Sequence, residues 1–373
     1  MSSSNNDEII SKASPHTIKK FELIEKYIEI WAQKLMNNPY CNGLIFIDCM
    51  CNSGVYQDDD GNEVLGTPLR VANVLRNVAG QYPKKQIYIY YNDINRGKTD
   101  LLKSRLPNKK NNFFISVSTK DGNDLLKEIG PQLTQVNRLH FFLLYDPYDA
   151  SIDWTALAPF FRSWGEVLIN HMISDPIRAI SQIKSDKAKK KYMDTYLVDD
   201  VEKLIPFGSD KNAYEQRLEK IIETMKGSTN RKYYISAFPF FNTRNSLLYD
   251  LVHCTSNKEG FKLYKKTAWK TFGDKSSLKN RHGKEDQLIL DFGDGIITSE
   301  VDENCYNVND IVDYLQQVFA GMQNVPLNSL WSVLDVHPIF PSEGYRPQIK
   351  SMLKNEYGAV CSKSTITFSD RRR

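Results

Sequence analysis

A chain of 373 residues, 41% hydrophobic and 25% charged, is a folded protein with room for a large domain plus a small one. Its net charge of +4 is too mild to signal nucleic acid without local clustering. No stretch approaches the roughly 18 consecutive apolar residues of a membrane helix, the N-terminus lacks the regions of a secretory signal, and six cysteines without C-x-x-C spacing fit a reducing cytoplasm.

Residues 1–40 open with a polar dozen. Ile18, Phe21, Ile24, Tyr27, Ile28, Trp31 and Leu35 then recur at three- and four-residue steps. That spacing predicts an amphipathic helix packed on the core, ended by Asn37-Asn38-Pro39. His16 and Lys19 open this helix, where they either face a site or stand as ordinary surface residues.

From Leu44 the texture changes. Strand patterns "LIFID", "QIYIYYND", "NFFISVS", "RLHFFLLYDPY" and "GEVLINHM" alternate with helical patterns "PLRVANVLRNVAG", "KTDLLKSRL", "GNDLLKEIG" and "TALAPFFRSW". Such alternation predicts an α/β unit with a largely parallel sheet. A charged helical insertion at about 175–230 interrupts it. "RKYYISAFPFF" and "SLLYDLVHCTS" then predict an antiparallel pair that finishes the sheet, so 41–295 reads as one α/β domain. Within 300–373, three helical patterns followed by "STITF" fit a winged-helix-like module.

In an open parallel sheet, ligands lie at the carboxyl ends of the strands, near the point where strand order reverses. The first strand ends at Asp48 and the turn Asn52-Ser53-Gly54, the second at Asn92-Asp93. The third is followed by Ser118 and Asp121, and the fourth ends at Asp146-Pro147-Tyr148. The joint pattern suits a nucleoside-bearing ligand. A glycine in the first turn admits close backbone approach, Asp93 stands where ribose hydroxyls would be held, and Ser118 or Asp121 could reach a base amino group. Taken singly, each aspartate also reads as a cap for the turn or helix that follows.

Asp146-Pro147-Tyr148 resembles the fourth motif of amino-group methyltransferases, with one Pro where two are usual. There the acidic side chain accepts from the target amine and the ring stacks on a flipped-out or single-stranded base. The bland reading is a strand-ending turn fixed by Pro147.

Residues 257–284 carry nine Lys or Arg against two acids, interleaved with Phe261, Tyr264, Trp269 and Phe272. Lys262, Lys265, Lys266, Trp269 and Lys270 are the candidate nucleic-acid contacts, since charge neutralises phosphates and rings stack bases. A solvated loop with its aromatics buried beneath explains the pattern equally well. No zinc spacing, P-loop lysine or nucleophile elbow is present, and Cys49-x-Cys51 reads as small residues filling a turn or as a thiol pair on one side of an extended segment.

Five stretches, "HTIKKFELIEKYIEIW", "FIDCMCNSGVY" followed by "GTPLRV", "DPYDASIDW", "EVLIN" and "NSLLYDLVHCTSNKEG", resemble the three-Cys-motif partner (TcmP) proteins over about residues 16–270. The resemblance implies a class I S-adenosylmethionine (SAM)-dependent methyltransferase-like core, a winged-helix-like tail and a radical-SAM-like partner carrying the three-cysteine motif. It departs in the first turn, where Cys51-Asn52-Ser53-Gly54 replaces an Ala-Gly-Pro-Gly-like sequence. Asn tolerates left-handed backbone angles, so the loop can keep its shape. Two functions follow as expectations: a SAM-dependent amino-methyltransferase acting on DNA or RNA, or a non-catalytic nucleic-acid-binding adaptor that recruits the partner enzyme.

Overall fold

The computed structural model describes residues 9–277 and 305–370, apart from 110, 137, 148–150, 162–163, 173–185, 198, 200–218, 220–221, 226, 228–232 and 242–246. Helix α1, Pro15–Met36, forms where the sequence places it and buries Phe21, Leu23, Ile24, Tyr27, Ile28 and Trp31. Seven strands then build one sheet: β1 Gly43–Asp48, β2 Gln86–Asn92, β3 Phe113–Ser118, β4 Leu139–Tyr145, β5 Gly165–Met172, β6 Tyr234–Phe241 and β7 Leu247–Thr255. The order across it is β3-β2-β1-β4-β5-β7-β6. Strands β1 to β5 run parallel, and β7 is antiparallel to both β5 and β6.

Burial follows position in the sheet. Every residue of central β1 is buried, as a strand covered on both faces requires. Strand β3, at one edge, has mostly half-buried and exposed residues after Phe113. Crossover helices α2 (Thr67–Gln81), α3 (Arg96–Arg105) and α4 (Gly122–Leu133) carry the chain back between parallel strands. The helix expected over "TALAPFFRSW" is shorter. It is α-helical only at Trp154–Leu157 (α5) and tightens to a 3-10 turn at Ala158–Phe160, where Pro159 cannot donate a helical hydrogen bond. The expected insertion at 175–230 lies mostly outside the described residues; within it stands helix α6, Asp186–Tyr196.

Two features are absent from the sequence reading. A small sheet joins Ser11–Lys12, Val55–Gln57 and Glu63–Leu65, setting the N-terminal segment beside the first-turn loop. The basic stretch from Asn257 forms helix α7, Lys258–Thr271, not a loop. Past residue 304, helices α8 (Val308–Phe319), α9 (Leu327–Val336) and α10 (Arg346–Tyr357) match the three helical patterns. Short strands β8 (Val325–Pro326), β9 (Val360–Cys361) and β10 (Thr365–Thr367) pair in the order β8-β10-β9. Among the described residues no helix is long and apolar enough to cross a membrane.

Candidate functional site

The carboxyl ends of β1 to β5 lie on one edge of the sheet, and strand order reverses around β1, whose neighbours are β2 and β4. Crevices for ligands form at such a switch point. Asp48 is buried there, with Oδ1 accepting from the Met50 amide at 3.3 Å. Burial, and next the charge on Asp146, push its carboxyl well above the usual range.

The loop after β1 is held largely by the protein's own groups. Asn52 is left-handed, with φ +59°, as the Asn-for-Gly expectation requires. Its backbone N–H donates to Asp93 Oδ2 at 2.9 Å, and the Asn95 N–H donates to Asp93 Oδ1 at 2.9 Å. Asp93, 1% exposed, therefore clamps the loop and does not stand open. Asn52 Nδ2 donates to Ser11 Oγ at 3.3 Å, and Ser53 Oγ, buried, donates to the Val55 carbonyl at 2.9 Å. Gly54 has φ +73°, and a Cβ there would stand 2.8 Å from Leu102 Cδ1, so this glycine serves helix packing as well as the turn.

Asn92, fully buried, latches the neighbouring loops. Its amide donates to the carbonyls of Cys49 and Lys120 at 3.0 Å each, and accepts from Ser118 Oγ at 2.8 Å and the Lys120 N–H at 3.1 Å. Ser118 is thus part of this latch. Asp121 is exposed and caps α4, accepting from the amides of Asn123 at 2.9 Å and Asp124 at 3.1 Å. The capping reading therefore describes Asp121, while Asp48, Asp93 and Asp146 converge. Cys49 and Cys51 are buried free thiols that burial pushes up, leaving them poor nucleophiles.

Asp146 is the most elaborated position. Its Oδ2 accepts from Lys20 Nζ at 2.7 Å, and its Oδ1 accepts from the Asn170 side-chain amide at the end of β5. The Lys20 ammonium lies 5.3 Å from the centroid of the Tyr249 ring on β7. Pro147 is buried, and Tyr148 falls outside the described residues. Lys20 and Asn170 escape the sequence reading. Lys19, the lysine named there, pairs with Glu22 at 2.7 Å, while His16 contacts Ser14 Oγ. Helical spacing could have found Lys20, which stands four residues before Ile24 on the buried stripe.

Helix α7 turns two of its five expected nucleic-acid contacts, Lys265 and Trp269, fully inward. Lys265 is fully buried and donates to the carbonyls of Leu334, His337 and Phe340 at 2.8, 2.7 and 3.0 Å. Burial brings its ammonium down to about 7. The Trp269 indole, also fully buried, donates to the Ile339 carbonyl at 3.0 Å. Lys262 sits between Glu259 and Glu343, and Lys266 is half-buried. Only Lys270 of the five is exposed, bonded to Asp274 at 2.6 Å with its ammonium 4.4 Å from the Tyr345 ring centroid. Phe261, Tyr264 and Phe272 pack on the sheet and α1, while Trp269 and Lys265 meet the C-terminal helices, so the aromatic residues of this helix do not form an exposed stacking surface.

A sheet in the order 3-2-1-4-5-7-6, with its seventh strand reversed and carboxylates at the switch point, is a methyltransferase-like α/β fold. No family model matches the chain, and no curated protein does. Among solved structures, the chain is similar to protein LPL1258 of Legionella pneumophila at 13% identity and TM-score 0.38, over 68% of this chain and 92% of that one. It is similar to human methyltransferase-like protein 13, solved with SAH, at 10% and 0.32, over 74% and 97%. A loganic acid methyltransferase, also solved with SAH, gives 12% and 0.32, over 69% and 83%.

Proposed function

We propose that this chain is a SAM-binding, methyltransferase-like protein of the three-Cys-motif partner type, acting on or with nucleic acid beside a radical-SAM-like enzyme. The observation that carries the reading is the convergence of Asp48, Asp93 and Asp146 at the switch point of a sheet in this order.

The donor set suits such a cofactor. Asp93 already accepts from two loop amides, those of Asn52 and Asn95. The clamped Asn52–Gly54 turn would hold the amino-acid end, Asp93 the ribose, and exposed Asp121 the base. The cofactor supplies an activated methyl group. The chain's own residues would align the acceptor at Asp146, because an aligned sulfonium and nucleophile need little acid–base help.

Two features support the nucleic-acid half. The order helix, strand, helix, helix, strand, strand after residue 307, with sheet order β8-β10-β9, supports reading this segment as a winged-helix-like module. Helix α10 exposes Gln348, Ser351, Lys354 and Asn355, side chains able to contact phosphates or base edges. This face takes the role that α7 does not fill.

A second reading, the non-catalytic adaptor, draws on the burial of Asp93 and on the Lys20–Asp146 ion pair, which together leave the site satisfied by its own groups. Labelled methyl transfer from SAM to DNA and RNA separates the readings. The first requires labelled nucleic acid from the wild type and none from Asp146→Ala. The second requires no label at all, with the partner enzyme retained on co-purification.

A further inference from the structure

We propose that Asp146, the Asn170 amide and the Tyr249 ring form a seat for a primary alkylammonium ion, and that Lys20 fills this seat from within the chain. The proposal rests on reading Asp146 as the acceptor end of the site. Each contact suits a compact cation. The Asp146 carboxylate receives a charge-assisted hydrogen bond at 2.7 Å, and the Tyr249 ring faces the same ammonium at 5.3 Å. Asp48, buried and pushed toward its neutral form, leaves Asp146 as the counter-ion.

The seat also has unused capacity. Among the described residues, the Asn170 carbonyl oxygen and the Tyr249 hydroxyl are buried without a hydrogen-bond partner. Asn170 and Tyr249 are 4% and 5% exposed. The Asn170 oxygen belongs to the same amide that donates to Asp146. An ammonium carries three donors on one nitrogen, of which the Lys20 bond to Asp146 uses one. Two acceptors on residues of the seat, Asn170 Oδ1 and the Tyr249 hydroxyl, thus remain unused with Lys20 in place.

Displacing Lys20 requires movement of one long side chain. It rises from the first turns of α1, where Ser14, the N-cap residue, makes no capping bond to the backbone and instead contacts His16 and Thr17. The seat thus keeps its own lysine in place until an alkylammonium ion arrives.

The test uses the full chain, with n-butylammonium chloride as probe and n-butanol and sodium chloride as controls, read by thermal unfolding. Lys20→Ala should unfold at lower temperature than the wild type. It should regain about 3 °C, saturably, with n-butylammonium and nothing with either control. Lys20→Ala combined with Asp146→Asn should not respond. Lys20→Gln, neutral and close in size, serves if Lys20→Ala does not fold, with the same expectation. No saturable response in the single variant, or an equal response in the double variant, overturns the seat. S-adenosylhomocysteine titration of the same proteins keeps the two readings apart. Cofactor binding without an amine response overturns only the seat, and the converse overturns only the cofactor reading.

Discussion

Gly54 and Asn52 show how much a single backbone angle carries in this loop. Both have positive φ, and the space a Gly54 Cβ would need is filled by Leu102 and Leu69. Gly54→Ala should cost about 2 kcal/mol, from left-handed strain and from the displaced leucines. Urea unfolding checks this, and Asn52→Gly should cost only about 1 kcal/mol, keeping the left-handed angle but losing the Asn52 bonds to Ser11 Oγ and the Ser53 N–H. The reading of Asn52 as a left-handed stand-in for glycine was available from residue type alone. The role of Asp93 was not. Its place after β2 shows in the sequence, but that its oxygens take the N–H groups of Asn52 and Asn95 depends on a contact across 41 residues. Lys20 was hidden for a similar reason, because its partner is 126 residues away.

His171, which follows Asn170 on β5 and faces the other side of the sheet, supplies a pH test at the same scale. Its Nε2 contacts Tyr196 Oη at 2.7 Å, and burial holds its folded-state value down to about 4, against an ordinary 6.5. The folded chain therefore binds this proton less readily than the unfolded chain. The contribution is complete above pH 6.5 and is lost as pH falls from 6.5 to 4, reaching up to about 3 kcal/mol. Asp48, shifted upward, has the opposite sign, since its stabilisation fades as pH rises. Comparison with His171→Gln isolates the histidine. The wild type should lose more stability than the variant between pH 6.5 and 4, as read by urea midpoints; equal slopes would contradict it.

Helix α7 is where composition and location part company. Its basic and aromatic residues fit a nucleic-acid surface and a seam equally well as a string of letters. Helical spacing decides between them, since Phe261, Tyr264, Lys265, Ala268 and Trp269 share the buried side. Lys265 then ends up against the last turn of α9, joining the carbonyls of Leu334, His337 and Phe340. Lys265→Met removes the donor and leaves three carbonyls without it, so the chain should lose about 3 kcal/mol in urea. Nucleic-acid affinity, if carried by α10, should fall tenfold or more on Lys354→Glu and not on Lys270→Ala at matched salt. The strands and helices of the sheet were legible because their periods are strong. The Ser11–Lys12, Val55–Gln57 and Glu63–Leu65 sheet was not, because strands of two or three residues carry no period at all.

At the scale of the whole molecule, the strand order decides where the candidate site lies. It brings Asp48, Asp93, Asp146 and Asn170, drawn from four strand ends spread over 122 positions of sequence, to one edge. The α/β class and the carboxylates at strand ends were readable from the sequence, since alternation of strand and helix forces the parallel arrangement. What could not be read is how far the site is already satisfied by its own groups, because that depends on packing between distant segments. The measurement that bears most directly on the central claim is calorimetric titration of the purified chain with S-adenosylmethionine and S-adenosylhomocysteine. Asp93→Ala and Asp121→Ala are run alongside, each checked for folding by thermal unfolding. The account predicts single-site binding in the micromolar range, lost in folded Asp93→Ala, whether Asp93 holds the ribose or only clamps the loop, and weakened in Asp121→Ala. A folded wild type that binds neither compound would contradict it.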